Sequence, residues 1–527
     1  FKMKNGKLKK LTAGLLSAAM VCSLNTGVVF AEDAGGETTL KMGIYGGLDS
    51  LNPWASGRIT KDMVTYVLYE TLASCQSGST EIDSIMMESY EQVDDVTYDV
   101  TIYDYITDAE GNNITASDVV FSFKQYMQNW ATTVESIEAT GDYSFRLTLN
   151  TTAAGAFNYI VCKVPIASET AYNNSPDGFA TTSCGTMPYT VSGGSDYVNG
   201  TTIIARATDS YWQTDESLIY GGSVKNADVI EFDVLEESTQ LALAVENGDI
   251  DMAMYIDSSL VDEVGNTDGI ELAEMTAAEE RGIMFNMMED SVFYDNLPLR
   301  QAVLYAIDNE AVAEACGYGH GTASTVTCGQ DGLTIGYSSD WETSPYSYDP
   351  EKAKELLAEA GYSEGELNLR LLCNSNPVIT MMWTIVQSNL MEVGINAELD
   401  VVEGTTYGTY RDGSSGMYDL AYAGVEDAGY VTADLWNTLF NRNNYASGRT
   451  WAGLLDDELQ ELYDAIAAPD GYTQENLDAF YNYITDNALY YNIYFLSEYA
   501  AYNTNRVSSY FTDWQRFVRA NTVVLAD

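Results

Sequence analysis

The sequence predicts a mixed α/β chain of two or three domains, and three observations carry that prediction. Residues 349–402 read as helix, strand, helix, strand. The last three of those make a β-α-β unit, and such units build parallel sheets with covered faces. Alternating extended runs also recur far apart, at 38–46, 97–104 and 143–150, with helical stretches between them. Finally, 527 residues exceed the roughly 250–300 that one core usually reaches.

Taken in order, residues 1–31 read as an export leader. Lys2, Lys4, Lys7, Lys9 and Lys10 come first, then the apolar run LTAGLLSAAMVC at 11–22. Val29 and Ala31 stand where a signal peptidase reads, just before Glu32. The run is shorter than the about 20 residues a membrane span needs. Cys22 is an alternative lipidation site, disfavoured by bulky Val21 beside it. The body is expected to leave the cell whole.

TTLKMGIYG at 38–46 alternates as a strand, LDSLNPW at 48–54 is a turn, and Thr60 to Leu72 reads as a helix. TYDVTIYD and YSFRLTLN flank a helix opening near Thr115. Thr115 and Asp118 form a capping box with Asp in place of Glu, and Val119, Val120 and Phe123 face inward. In DPEKAKELLAEAG, Asp349 is the N-cap, Pro350 the first helical residue and Gly361 the stop. Ala353, Leu356, Leu357 and Ala360 make its apolar stripe. Strands at 367–373 and 395–402 then enclose a helix at 378–393, and YDLAYAGV at 418–425 follows. Its end is where an open α/β sheet places ligands.

The formal net charge is −54, from 24 Lys+Arg against 78 Asp+Glu. Five of the lysines lie in the leader, so the body is more acidic still. Nucleic acid and anionic lipid are excluded as natural partners, because both need cations to displace counterions. Beyond Cys22 six cysteines remain, and Cys316 with Cys328 is the first pair to test for a disulfide.

Catalytic chemistry is sparse. The single histidine, His320, sits among glycines and reads as a loop residue. Cys-x-x-Cys, His-x-x-x-His, Gly-x-Ser-x-Gly and a phosphate-binding loop are all missing. No catalytic residue, metal site or cofactor is expected. Carboxylates are too abundant for any chosen pair to indicate a glycosidase. The aromatic content points instead to a lined cleft, with 39 Tyr, 8 Trp and 15 Phe. The candidates are Trp54 in its turn, Trp383 on the β-α-β helix, Tyr407, and Tyr430 and Trp436 after the strand at 418–425. Glu426 and Asp427, at that strand's end, are the candidate carboxylates.

Several motifs in order resemble the extracellular solute-binding proteins of family 5, which serve ABC importers. LKMGIYGGLDSLNPW, ITASDVVFSF, CGTMPYTV at 184–191 and RATDSYW at 206–212 carry the first half of the likeness. ENGDIDMA at 246–253, LRQAVLYAID at 299–308, YDPEKAKELLAEAGY and NTNRVSSYF carry the rest. Met187 stands where the family usually has a second Gly.

The resemblance implies a two-lobed periplasmic-binding-protein-like α/β fold, type II, with an extra inserted domain. Lobe I would comprise 38–60, 185–278 and 495–527, with 61–184 inserted, and lobe II would be 279–494. It implies hinges near Gly185 to Tyr189 and near 278–284. It further implies a ligand held between the lobes, an ABC permease as partner, and no enzymatic activity. Peptide-binding members place an Asp in a Gly-Trp-x-x-Asp stretch on the ligand's amine; the matching stretch is AGVEDAGY at 423–430, with Asp427 nearest and Val425 replacing the Trp. The Arg that dipeptide binders carry before Asn-Pro is missing near Cys373. The expected ligand is an oligopeptide, with an oligosaccharide as the alternative and a secreted carbohydrate hydrolase the remoter one. A monomer is expected.

Overall fold

The computed structural model describes residues 37–526, except 47, 56–58, 76–80, 130–132, 153–154, 210, 276–278, 330–333, 335, 343, 427–433 and 513–516. The leader lies outside the described residues. Three sheets organise the body. The large one orders its strands Ile270–Met275, Glu498–Asn503, Met252–Ile256, Thr39–Tyr45, Val229–Leu235, Thr202–Ala207 and Tyr189–Thr190, with Tyr197–Val198 also on Thr202–Ala207. At its centre Thr39–Tyr45 runs parallel to both Val229–Leu235 and Met252–Ile256. Leu40, Met42 and Ile44 alternate into the core, fully buried.

The second sheet orders Gly321–Ala323, Tyr490–Leu496, Glu279–Phe285, Leu420–Glu426, Asn368–Asn374 and Asn396–Val402. The expected β-α-β unit is here. Asn368–Asn374 and Asn396–Val402 pair in parallel, joined by helix Pro377–Glu392. That helix starts at Pro377 because the Asn376 side chain accepts from the Val378 and Ile379 N–H groups. Leu420–Glu426 adds in parallel on the other side. Helix Pro350–Glu359 opens as predicted, with the Asp349 carboxylate accepting from Lys352 N. Ala353, Leu356 and Leu357 are buried, and each leucine stabilises by about 1.5–3 kcal/mol.

The third sheet is antiparallel, Met87–Gln92, Thr97–Ile102, Ser144–Leu149 and Val134–Ala139, covered by helix Ala116–Asn129. The capping box forms in a modified way. Thr115 N and Oγ1 both donate to Asp118 Oδ2, at 2.8 and 2.7 Å. Asp118 Oδ1 accepts from Glu169 N at 2.8 Å and so also anchors helix Glu169–Asn174. Val119, Val120 and Phe123 are buried.

Three expectations need correction. The helix from Thr60 stops at Leu68, not Leu72. Beyond it the buried Glu70 carboxylate takes hydrogen bonds from Tyr211, Trp212 and Ser223, and Ile166 N donates to the Glu70 carbonyl. Those partners hold the backbone out of the helical path. Cys316 and Cys328 are both buried and both free. The chain passes between the large and second sheets after Met275 and again at Ser497, between strands Tyr490–Leu496 and Glu498–Asn503. The segment 185–189 is therefore no passage between lobes. It joins the small sheet's subdomain to the large sheet, and a Cβ on Gly185 would lie 2.0 Å from the Leu68 carbonyl oxygen. Among the described residues no helix is long and apolar enough to cross a membrane.

Candidate functional site

Strands Thr39–Tyr45 and Met252–Ile256 are parallel neighbours, so their carboxyl ends lie side by side. There the Tyr45 and Tyr255 rings sit 5.1 Å apart, tilted by 37°. Tyr45 is 39% exposed. From the second sheet, Leu420–Glu426 runs antiparallel to Glu279–Phe285, with Arg281 opposite Gly424. Arg281 Nη1 donates to the Tyr422 hydroxyl at 2.9 Å.

Charges from both sheets act at Tyr255, the seam between them. Burial pushes the Tyr255 hydroxyl up, and the charges of Asp257 and Glu498 push it further; Arg281 pulls it back. Tyr45 and Tyr255 stand at strand ends of the large sheet, and Arg281 lies in the second sheet near the end of Leu420–Glu426, opposite Gly424. Open α/β sheets bind ligands at such ends.

A cleft of ≈ 900 Å³ opens between the small sheet and the helices of the second lobe. One wall is Thr133, Glu135, Asn150, Thr151, Thr152 and Tyr159. The other is Asn437, Asn441, Asn443, Asn444, Tyr463 and Asp464. Thr152 Oγ1 donates to the Ala467 carbonyl across it at 3.3 Å. Within the far wall, Asn441 Nδ2 and the Tyr463 hydroxyl both donate to Asn437 Oδ1, at 2.6 and 3.1 Å. No lysine or arginine is among the described lining residues. Arg442 lies between the asparagines in sequence, but its Nη1 is 2.6 Å from Asp457 Oδ1. Behind the near wall, burial disfavours the Lys163 charge. Tyr66, Asp62, Tyr159 and Tyr126 outweigh that and hold its pKa above the ordinary lysine value.

The sequence-predicted aromatics are found elsewhere. Trp54 is buried, its Nε1 donating to the Pro165 carbonyl at 2.9 Å and its ring edge-on to Phe121 and Tyr172. Trp383 is fully buried on helix Pro377–Glu392. Tyr407 is buried with its hydroxyl on the Tyr422 carbonyl. Trp436 is buried against Phe440, Tyr481 and Tyr490, and donates to the Tyr481 hydroxyl at 2.7 Å. All four pack as interior side chains, because rings this large contribute most to stability when fully covered. Glu426 ends its strand, its backbone opposite Glu279. Asp427 and Tyr430 lie outside the described residues. His320 has its Nε2 3.2 Å from Asp262 Oδ1 and its ring edge-on to Tyr499. Among the described residues no cluster of three or more His, Cys, Asp or Glu is placed to hold a metal.

Two α/β lobes joined by two strand passages, with aromatic and charged groups where the strands end, define a binding protein of the two-lobed class. The chain belongs to the bacterial extracellular solute-binding proteins, family 5, whose middle region matches residues 81–446. Heme-binding protein A of Haemophilus influenzae is 25% identical over 376 residues, 64% of this chain and 65% of that protein, so the chain spans just under two thirds of that relative. HbpA2 from Haemophilus parasuis superposes with a TM-score of 0.79 at 20% identity, covering 93% of this chain and all of that one. The oligopeptide-binding protein AppA from Bacillus subtilis, in complex with a nonapeptide, gives 0.69 at 19% identity, over 94% and 100%.

Proposed function

We propose that this protein captures oligopeptides outside the cell and hands them to the permease of an ABC importer, without chemical change to the ligand. It acts as an exported monomer after cleavage behind Ala31. The observation that carries this reading is the seam. Tyr45 and Tyr255 pair at strand ends of the large sheet and Arg281 pairs with Tyr422 in the second, so a ligand that reaches both favours closure of the lobes. The acidic surroundings, Asp257 and Glu498 beside Tyr255, suit a ligand with an ammonium group. Asp427 and Glu426 are the proposed partners of that group. The nonapeptide held by AppA is in keeping with a peptide ligand. An oligosaccharide is less favoured, because Trp54, Trp383 and Trp436 are packed inside and offer no face for a sugar ring to stack on.

A ligand that binds only the folded state raises the melting temperature by mass action. Thermal shift against peptides, cello- and xylo-oligosaccharides and hemin, with mass spectrometry of the recovered ligand, is the test. Peptides recovered intact with a raised Tm support the reading. Stabilisation by a sugar or hemin alone, or turnover of any hit, overturns it.

A further inference from the structure

We infer that the asparagine-lined cleft between the small sheet and the second lobe is a separate subsite that holds the main chain of an extended peptide, with no grip on a terminal carboxylate. The inference rests on the peptide reading above and adds the place, the chemistry and the length dependence.

The cleft has the volume of a ligand pocket, ≈ 900 Å³, within the about 300–1,000 Å³ that such sites span. Its far wall is unusual in composition, with Asn437, Asn441, Asn443 and Asn444 within eight residues of sequence. A side-chain amide carries a carbonyl acceptor and an NH₂ donor in one plane. That matches the alternating N–H and C=O groups of a peptide main chain, whatever its side chains. Asn437 and Asn441 brace each other and Tyr463, which fixes the wall. Asn443 and Asn444 stand exposed beyond them. Opposite, Thr151 and Thr152 leave the end of strand Ser144–Leu149.

What the cleft lacks decides between ligands. With Glu135 and Asp464 on its walls and no cation among the described lining residues, a free carboxylate would be desolvated without a partner. A sugar needs an open aromatic face, yet Tyr463 is buried with its hydroxyl engaged by Asn437, and Tyr159 opposite is half-buried. A neutral peptide backbone satisfies both conditions. Because the walls belong to different lobes, a peptide long enough to enter also adds contacts that hold the lobes together.

Calorimetry with three probes tests this: the dipeptide Ala-Ser, a nonapeptide of alternating Ala and Ser, and that nonapeptide as its C-terminal amide. On the wild-type chain the nonapeptide is expected to bind at least tenfold tighter than the dipeptide, and its amide equally well. In the double variant Asn443→Ala/Asn444→Ala the nonapeptide loses about tenfold while the dipeptide is unchanged; both side chains are exposed, so folding is preserved and is checked by an unaltered Tm. Equal nonapeptide affinity in variant and wild type overturns the subsite. So does a tenfold loss on amidation, which reports a carboxylate clamp. If no peptide binds at all while a sugar or hemin does, the peptide reading itself fails, and the result is distinct from either of the other two.

Discussion

The large sheet is left by the chain in two ways that are built as opposites. Around Gly185 the connection to the small sheet is sealed. Ser183, Cys184, Thr186 and Met187 are all buried, the Gly185 carbonyl accepts from Ala109 N at 3.0 Å, and there is no room for a Cβ. Nearby Glu70 ties the same junction to Tyr211, Trp212 and Ser223. At Ser497 the connection to the second lobe is one residue between two strands, half-buried, with its hydroxyl on Glu274 Oε1 at 2.6 Å. On this contrast we propose that the small and large sheets move as one body, with bending between the lobes at Ser497.

Four experiments break or sharpen that contrast. The largest effect is expected from Gly185→Ala, whose new methyl collides with the Leu68 carbonyl and the Tyr69 ring. Overpacking of rigid backbone costs about 3 kcal/mol or more, read in urea unfolding. A loss below 1 kcal/mol would show the junction to be looser than described. Next, Glu70→Gln removes one of the acceptors shared by three donors, leaving at least one buried and unpaired. That costs about 2 kcal/mol, and thermal unfolding should then show the small sheet melting ahead of the rest.

The third is a pH effect near the same junction. Burial pushes the Asp177 carboxyl up, but hydrogen bonds from Thr181, Ser175 and Ala180 outweigh it and hold it below the usual carboxylate range. A depressed folded pKa means stability that is present above the unfolded value, about 3.9. That stability is lost as pH falls through the folded one. Asp177→Asn should therefore be less stable than wild type at pH 7, and the gap should close on acidification. A gap independent of pH would assign the loss to packing instead. The smallest effect belongs to Ser497→Ala, within about 0.5 kcal/mol as for an ordinary surface change. Compaction on ligand binding, followed by small-angle scattering, should persist in it. If Ser497→Ala destabilises as strongly as Gly185→Ala, the two connections do not differ.

Much of the frame was legible because it rests on local signals. The cap Asp349, Pro350 after it and the apolar stripe Ala353, Leu356 and Leu357 act within a few turns of one helix, and the alternating runs beyond it are equally local, so the helix and the β-α-β unit after it could be read from adjacent residues. The site was less legible. A tryptophan in a turn looks the same whether it lines a cleft or fills a core, and Trp54 and Trp436 do the latter. Sheet order pairs position 45 with 255 in one sheet and 281 with 422 in the other, and no spacing in the sequence announces that. Tyr45, at the end of an alternating strand, was the one available hint. The asparagines at 437–444 were visible as a cluster, but their opposite wall lies nearly 300 residues earlier.

The strand order of the large sheet also dictates when that sheet can exist. Glu498–Asn503 sits between Ile270–Met275 and Met252–Ile256 and pairs with both. Until residues 498–503 are in place, those two strands have no common neighbour. The second sheet has the same dependence on Tyr490–Leu496, which lies between Gly321–Ala323 and Glu279–Phe285. Neither sheet is complete until residues 490–503 are in place. Pairings at such sequence separation are slow to form, so both sheets complete late and together.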